Sequence, residues 1–360
     1  MTSMNIAIRV DASSQIGTGH FMRTLTLAKE LSKRGAKVRF VSRHLPEYLQ
    51  DMLSEKVYEF RILDRPINET MQDELAHSKW LGTTQHEDAQ DTTQALSDRI
   101  WDWLVIDNYA LDARWESVLR KSAKRLLVID DLADRMHDCD ILLDQNYYAD
   151  KETRYTGKVP VTCQLLLGPH YALLREEFSQ WRQQVKPRTG SVKRILVFFG
   201  GVDADNFTGL TIDALARLGI SGLHIDVVIG AQHPYREKIE SACIEYMFSC
   251  YVQTDRMAEL MATADLAIGA GGSATWERCC LGLPSLVVSL ADNQTDIVKG
   301  LDLLGAGQYI ESQVFANSSV LLHYILGLIE NRKFLKSLSE QAFATNIGDG
   351  VNRVCQALSL

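Results

Sequence analysis

The sequence predicts two Rossmann-like α/β domains facing each other across a cleft, and three observations predict this architecture. Short continuous apolar runs alternate with helical patterns along the chain. The alternation breaks near residues 184–193, where Val-Lys-Pro-Arg-Thr-Gly-Ser-Val-Lys reads as a linker. On each side of that break a strand runs into a glycine-bearing loop and then a helix. The division expected is an N-terminal domain at 1–185, a C-terminal domain at 192–330, and helices at 331–360 packing back on the first domain.

Composition narrows the class. The chain has 360 residues, 46% hydrophobic and 23% charged, as soluble globular proteins do. A net charge of −8 without a dense Lys/Arg block argues against a nucleic-acid scaffold. Seven scattered cysteines with no Cys-x-x-Cys pair suggest neither a disulfide framework nor a zinc site, and fit a reducing cytoplasm. No run approaches about 18 apolar residues, so no membrane insertion is expected.

The elements follow in order. Ile6–Val10 and Lys37–Ser42 read as strands around a helical pattern with Phe21, Leu25, Ala28 and Leu31 on one face, stopped by Gly35. Residues 44–99 are mixed, with a polar, acidic loop-to-helix piece at 82–98. Three continuous runs follow, at 103–107, 125–131 and 141–146, as buried parallel strands have, and each ends in Asp or Asn. A further run at 164–168 completes the first half. In the second half, strand-like runs lie at 194–201, 225–230, 264–272 and 286–290.

The stretch Val10-Asp11-Ala12-Ser13-Ser14-Gln15-Ile16-Gly17-Thr18-Gly19-His20-Phe21-Met22-Arg23 carries the first chemistry. Gly17 and Gly19 allow a tight turn and close approach of the backbone to a ligand. A helix start suits phosphate, and an imidazole there can move a proton near neutral pH. His20 is the expected catalytic residue, although a helix-start histidine bonded locally has the same signature. Asp11 either orients that imidazole or caps the loop through backbone N–H groups. Asp107 and Tyr109 point to the same crevice, where Tyr109 either binds a sugar ring or closes the loop over the core. Asp130-Asp131 either holds a metal or caps the following turn, the second being the commoner case.

A second glycine turn, Gly271-Gly272-Ser273, also joins a strand to a helix, the context of a phosphate-cradling loop. Its backbone amides suit a diphosphate and the Ser273 hydroxyl adds a donor. Glu277, one turn on, either accepts both hydroxyls of a ribose or lies on a solvated face. Gly201, in the first glycine turn of this half, is a further nucleotide-binding candidate. Tyr171 and Arg175, spaced i, i+4 in the segment opening the helix before the linker, are expected on one face, lining the cleft or packing a hinge. Asn293, in Ala291-Asp292-Asn293-Gln294, suits sugar hydroxyls or amides. Trp276 and Cys279-Cys280 read as helix packing.

Four segments together resemble the PseG family of UDP-2,4-diacetamido-2,4,6-trideoxy-β-L-altropyranose hydrolases. They are Ile16-Gly17-Thr18-Gly19-His20-Phe21-Met22-Arg23, Tyr171 to Phe178, Gly271 to Pro284, and Ala291-Asp292-Asn293-Gln294. That resemblance implies a GT-B fold related to the MurG glycosyltransferases. It also implies cleavage of the sugar–UDP bond in pseudaminic acid biosynthesis, with no metal or other cofactor required. His20 would be the general base on water, Arg23 would support the site, and UDP would sit near Gly271–Ser273 with its ribose on Glu277. Where other members often carry His between the Asp and Tyr of the 107–109 segment, this chain has Asn108. A glycosyltransferase, a UDP-sugar 2-epimerase and a nucleotide-sugar-binding regulator are the competing readings.

Overall fold

In a computed structural model, residues 3–64, 73–201, 203–290, 292–345 and 347–359 are described, except for the side chains of residues 292 and 293. The chain divides into two compact units. The first comprises Met1–Asn146, Asp150–Leu173 and Gly350–Leu360, and the second Tyr147–Ala149 and Leu174–Asp349.

Seven strands make the sheet of the first unit: β1 (Asn5–Val10), β2 (Lys37–Ser42), β3 (Glu59–Ile62), β4 (Trp101–Asp107), β5 (Ala123–Ile129), β6 (Ile141–Asp144) and β7 (Gln164–Leu167). Their order is β3-β2-β1-β4-β5-β6-β7, and every pairing is parallel. Alternate residues of a strand serve the two faces. Ile6, Ile8 and Val10 of β1 enter one core with Trp103 and Val105 of β4, while Ala7 enters the other with Leu104 and Ile106. Covered on both faces, these strands read as unbroken apolar runs.

The second unit repeats the scheme with β8 (Arg194–Phe198), β9 (His224–Ile229), β10 (Ser249–Val252), β11 (Leu266–Ala270), β12 (Ser285–Val288) and β13 (Gln308–Ile310). Their order is β10-β9-β8-β11-β12-β13, again all parallel. In each sheet the direction of winding reverses once, at β1/β4 and at β8/β11. Loops leaving the carboxyl ends of those neighbours diverge, which opens a crevice there. His20, Asp107 and Tyr109 follow β1 and β4; Gly201 and Gly271–Glu277 follow β8 and β11.

The boundaries differ from the sequence expectation in two places. Helix Glu176–Arg182 belongs to the second unit, where Arg182 donates to the carbonyls of Cys280 (2.5 Å) and Phe343 (2.8 Å). Of residues 331–360, helix Arg332–Ala344 stays with the second unit and Gly350–Leu360 returns to the first. Helix Gly350–Ala357 has Val354 and Cys355 in the first core, followed by Leu358. Fully burying a Val or Leu side chain stabilises by about 1.5–3 kcal/mol. Gly350 is the residue that lets it dock, since a Cβ there would stand 2.3 Å from the Ala172 carbonyl oxygen.

Candidate active site

The first constellation assembles on the loop after β1. Gly17 has φ +78, the left-handed region that favours glycine, and its N–H closes the loop on the Ser13 carbonyl at 2.8 Å. Ser13 Oγ accepts from the Ile16 amide at 3.1 Å. Gly19 starts the helix Gly19–Lys33, and a Cβ there would meet nothing within 4 Å, so the helix start borders open space. One turn of helix then carries His20 and Arg23.

Both side chains converge on Asp107, the last residue of β4. His20 Nδ1 lies 2.6 Å from Asp107 Oδ1. Arg23 donates to Asp107 Oδ2 from Nε at 2.6 Å and to Oδ1 from Nη2 at 2.7 Å. Burial pushes the Asp107 carboxyl up, but Arg23 and then His20 outweigh it and hold it down at about 2. The ionised carboxylate can only accept, so Nδ1 carries the imidazole proton and Nε2 is left basic. Arg23 Nη2, 3.2 Å from Nδ1, already donates to Asp107.

Asp131 forms the next layer. It accepts from Arg23 Nη1 at 3.3 Å, from Asn146 Nδ2 at 3.1 Å, and from the Tyr109 hydroxyl. Burial and Asp131 raise the Tyr109 phenol well above its ordinary value, so it stays a donor. Tyr109 is 4% exposed, and its ring meets His20 edge-on at 4.6 Å. Asp130 is committed too, to Arg135 at 2.8 Å and the Ala133 amide at 2.9 Å. The two acids thus serve the turn and the tyrosine.

Asp11 does not orient the imidazole. Arg9 and Asp11, two apart on β1 and its end, share a sheet face and pair at 2.7 Å. Asp11 also accepts the amides of Arg43 (2.7 Å) and His44 (3.1 Å) and the Asn108 side chain (2.8 Å). It is a loop cap, and the orienting acid is Asp107, which register sets beside Val10.

The second constellation follows β11. Gly271 is glycine for lack of room: a Cβ would stand 1.9 Å from Val298 Cγ1. Its N–H is spent on the Val288 carbonyl at 2.9 Å, so, unlike the sequence expectation, it offers no amide to a ligand. The Gly272 and Ser273 amides have no hydrogen-bond partner among the described residues. Glu277 lies one turn on, its side chain 19% exposed, with Arg175 Nη2 3.8 Å away. Burial raises the Glu277 carboxyl against the pull of Arg175 and Arg278. Gly201 is exposed after β8, and Gly230 approaches so closely that a Cβ would meet the Gly201 carbonyl oxygen at 2.2 Å.

Tyr171 and Arg175 do not share a helical face. Tyr171 ends a short 3-10 turn, Pro169–Tyr171, and residues 172–175 are extended before helix Glu176–Arg182 begins. Gly168 at φ +105 followed by Pro169 breaks the pattern. Tyr171 packs on the first core and Arg175 turns to Glu177 at 2.7 Å in the second unit. The Asn293 side chain lies outside the described residues. Its neighbour Gln294, in the same sequence segment, accepts the Leu290 amide at 3.1 Å and would lie 3.7 Å from a Cβ on Gly272.

Comparison with known proteins bears on the fold and on the family this chain is similar to. Residues 194–354 match the family model for the glycosyltransferase family 28 C-terminal domain. Over 293 residues the chain is 26% identical to the UDP-2,4-diacetamido-2,4,6-trideoxy-beta-L-altropyranose hydrolase of Campylobacter jejuni, covering 81% of this chain and 93% of that one. A spore coat polysaccharide biosynthesis protein of Bacillus subtilis, SpsG, is 30% identical over 172 residues, 45% of this chain and 50% of that one. Among solved structures, MurG of Acinetobacter baumannii superposes with a TM-score of 0.66 at 14% identity, over 99% of both chains. The UDP-GlcNAc 2-epimerase of Neisseria meningitidis gives 0.63 at 13% identity, over 99% of this chain and 100% of that one. The fold is therefore GT-B, and the resemblance to the PseG family extends over most of the chain. No helix among the described residues is long and apolar enough to cross a membrane.

Proposed function

We propose that the protein hydrolyses a UDP-linked 2,4-diacetamido-2,4,6-trideoxy sugar to UDP and the free sugar, as a step of pseudaminic acid biosynthesis. The observation that carries the reading is His20 held by Asp107, with Arg23 neutralising the pair. His20 Nε2 takes a proton from water, whose oxygen bonds to the anomeric carbon. The bond from that carbon to the UDP oxygen breaks and its electron pair leaves with the diphosphate. Asp107 then stabilises the imidazolium, as an ionised partner does in other histidine bases. General-base catalysis contributes about 10²–10⁴-fold, so leaving-group stabilisation is needed as well. The Gly272 and Ser273 amides suit that task, with Glu277 on the ribose. Neither step calls on a metal. Incubation with the UDP-sugar and no acceptor, followed by NMR, tests the reading: stoichiometric UDP and free sugar support it. An unchanged substrate, or an isomerised UDP-sugar carrying solvent deuterium at C2, contradicts it.

A further inference from the structure

We infer that Trp80, backed by Tyr109 and His77, recognises an acetamido group on the sugar; this rests on the nucleotide-sugar reading above. Trp80 closes the 3-10 turn Ser78–Trp80. Its ring stacks on Tyr109 at 5.6 Å and 26°, and stands edge-on to the His20 ring at 6.2 Å and 79°. His77 lies 4.5 Å from Trp80 and 5.4 Å from Tyr109. Burial lowers the His77 pKa, Asp134 opposing and Arg135 and His20 adding to the shift, so this ring is neutral at pH 7.

The outer members of the cluster are not core residues. Tyr109 is buried, whereas Trp80 and His77 are only half-buried. An uncharged aromatic surface thus stands beside the reacting imidazole at the carboxyl edge of the sheet, where ligands bind. The Trp80 indole N–H has no hydrogen-bond partner among the described residues, and an indole nitrogen can only donate. An aromatic face next to an open donor matches an acetamido group, whose methyl seeks the ring and whose carbonyl oxygen accepts the N–H. A hydroxyl in its place supplies neither the methyl nor the extended carbonyl. Trp80 is therefore a specificity-determining residue, distinct from the base.

Sites that bind a substituent by hydrogen bond and shape discriminate by roughly 10–200-fold for one apolar group and by more when a polar partner is left unpaired. Trp80→Ala should raise KM for the acetamido substrate at least about tenfold, with Kd for UDP unchanged. Trp80→Phe, which keeps the face and loses the N–H, should fall between. Saturation-transfer NMR on a His20→Asn background reads the contact without turnover. Acetamido methyl protons should receive saturation, and Trp80→Ala in that background should remove it. Unchanged KM and methyl saturation in Trp80→Ala, or no methyl saturation in the background protein, overturn the inference. Failure of the wild-type protein to release UDP overturns the hydrolase reading, while the NMR experiment still decides the role of Trp80.

Discussion

His20 and Arg23, one helical turn apart, grip the same carboxylate from two sides: Asp107 receives the imidazole at 2.6 Å and the guanidinium at 2.6 and 2.7 Å. The carboxylate fixes which imidazole nitrogen is basic, and the arginine fixes the carboxylate. Asp107→Asn keeps the shape but removes the obligate acceptor. We expect kcat to fall about 10²–10⁴-fold, the range a positioned base supplies, with UDP affinity unchanged in a binding titration.

Arg23→Met strands Asp107 and Asp131 with one cation fewer between them. Removing one partner of a buried pair costs about 3–5 kcal/mol. Urea unfolding should show a loss of that order, whereas Met at an exposed arginine such as Arg256 should change stability by about 0.5 kcal/mol or less.

The glycines of the second loop separate by role. A Cβ on Gly271 would overlap Val298, while one on Gly272 would make ordinary contact with Gln294 at 3.7 Å. Gly271→Ala should destabilise by about 1–3 kcal/mol through overpacking. Gly272→Ala should leave stability unaltered. Paired thermal melts measure the contrast.

A pH dependence follows from His137, which lies 2.8 Å from Glu116 and 3.8 Å from Asp130. Burial pulls its pKa down, but the two carboxylates outweigh this and raise it from 6.5 to about 9. The native state therefore holds this proton more tightly than the unfolded chain. Its contribution to stability is full below pH 6.5 and is lost as pH rises through 9. In urea titrations His137→Gln should be markedly less stable than wild type at pH 6, and the gap should narrow by pH 9.5.

Much of this was legible in the sequence, for a physical reason. Strands covered on both faces are continuous apolar runs, and all the inner strands were read from them. Three strands went unread: β3, β10 and β13. Each is an edge strand, short and only partly buried, so selection for apolar residues there is weak. The glycine loops and His20 were visible because a strand–glycine–helix junction has its own local grammar. Asp107 as the partner of His20 was not, since 87 residues separate them and only the β1–β4 register joins them. Arg9 offered a clue against Asp11: a charge inside an apolar run demands a buried counter-ion. Trp80 and His77 sit in a mixed segment without periodicity, and three-dimensional proximity to His20 alone singles them out.

The proposed role of His20 as the base is open to direct measurement. Turnover of the UDP-diacetamido sugar by His20→Ala, followed by NMR beside wild type and with UDP affinity measured on both, tests it directly. Loss of the base should lower kcat by about 10²–10⁴-fold with UDP binding intact. Turnover within a few-fold of wild type would contradict it.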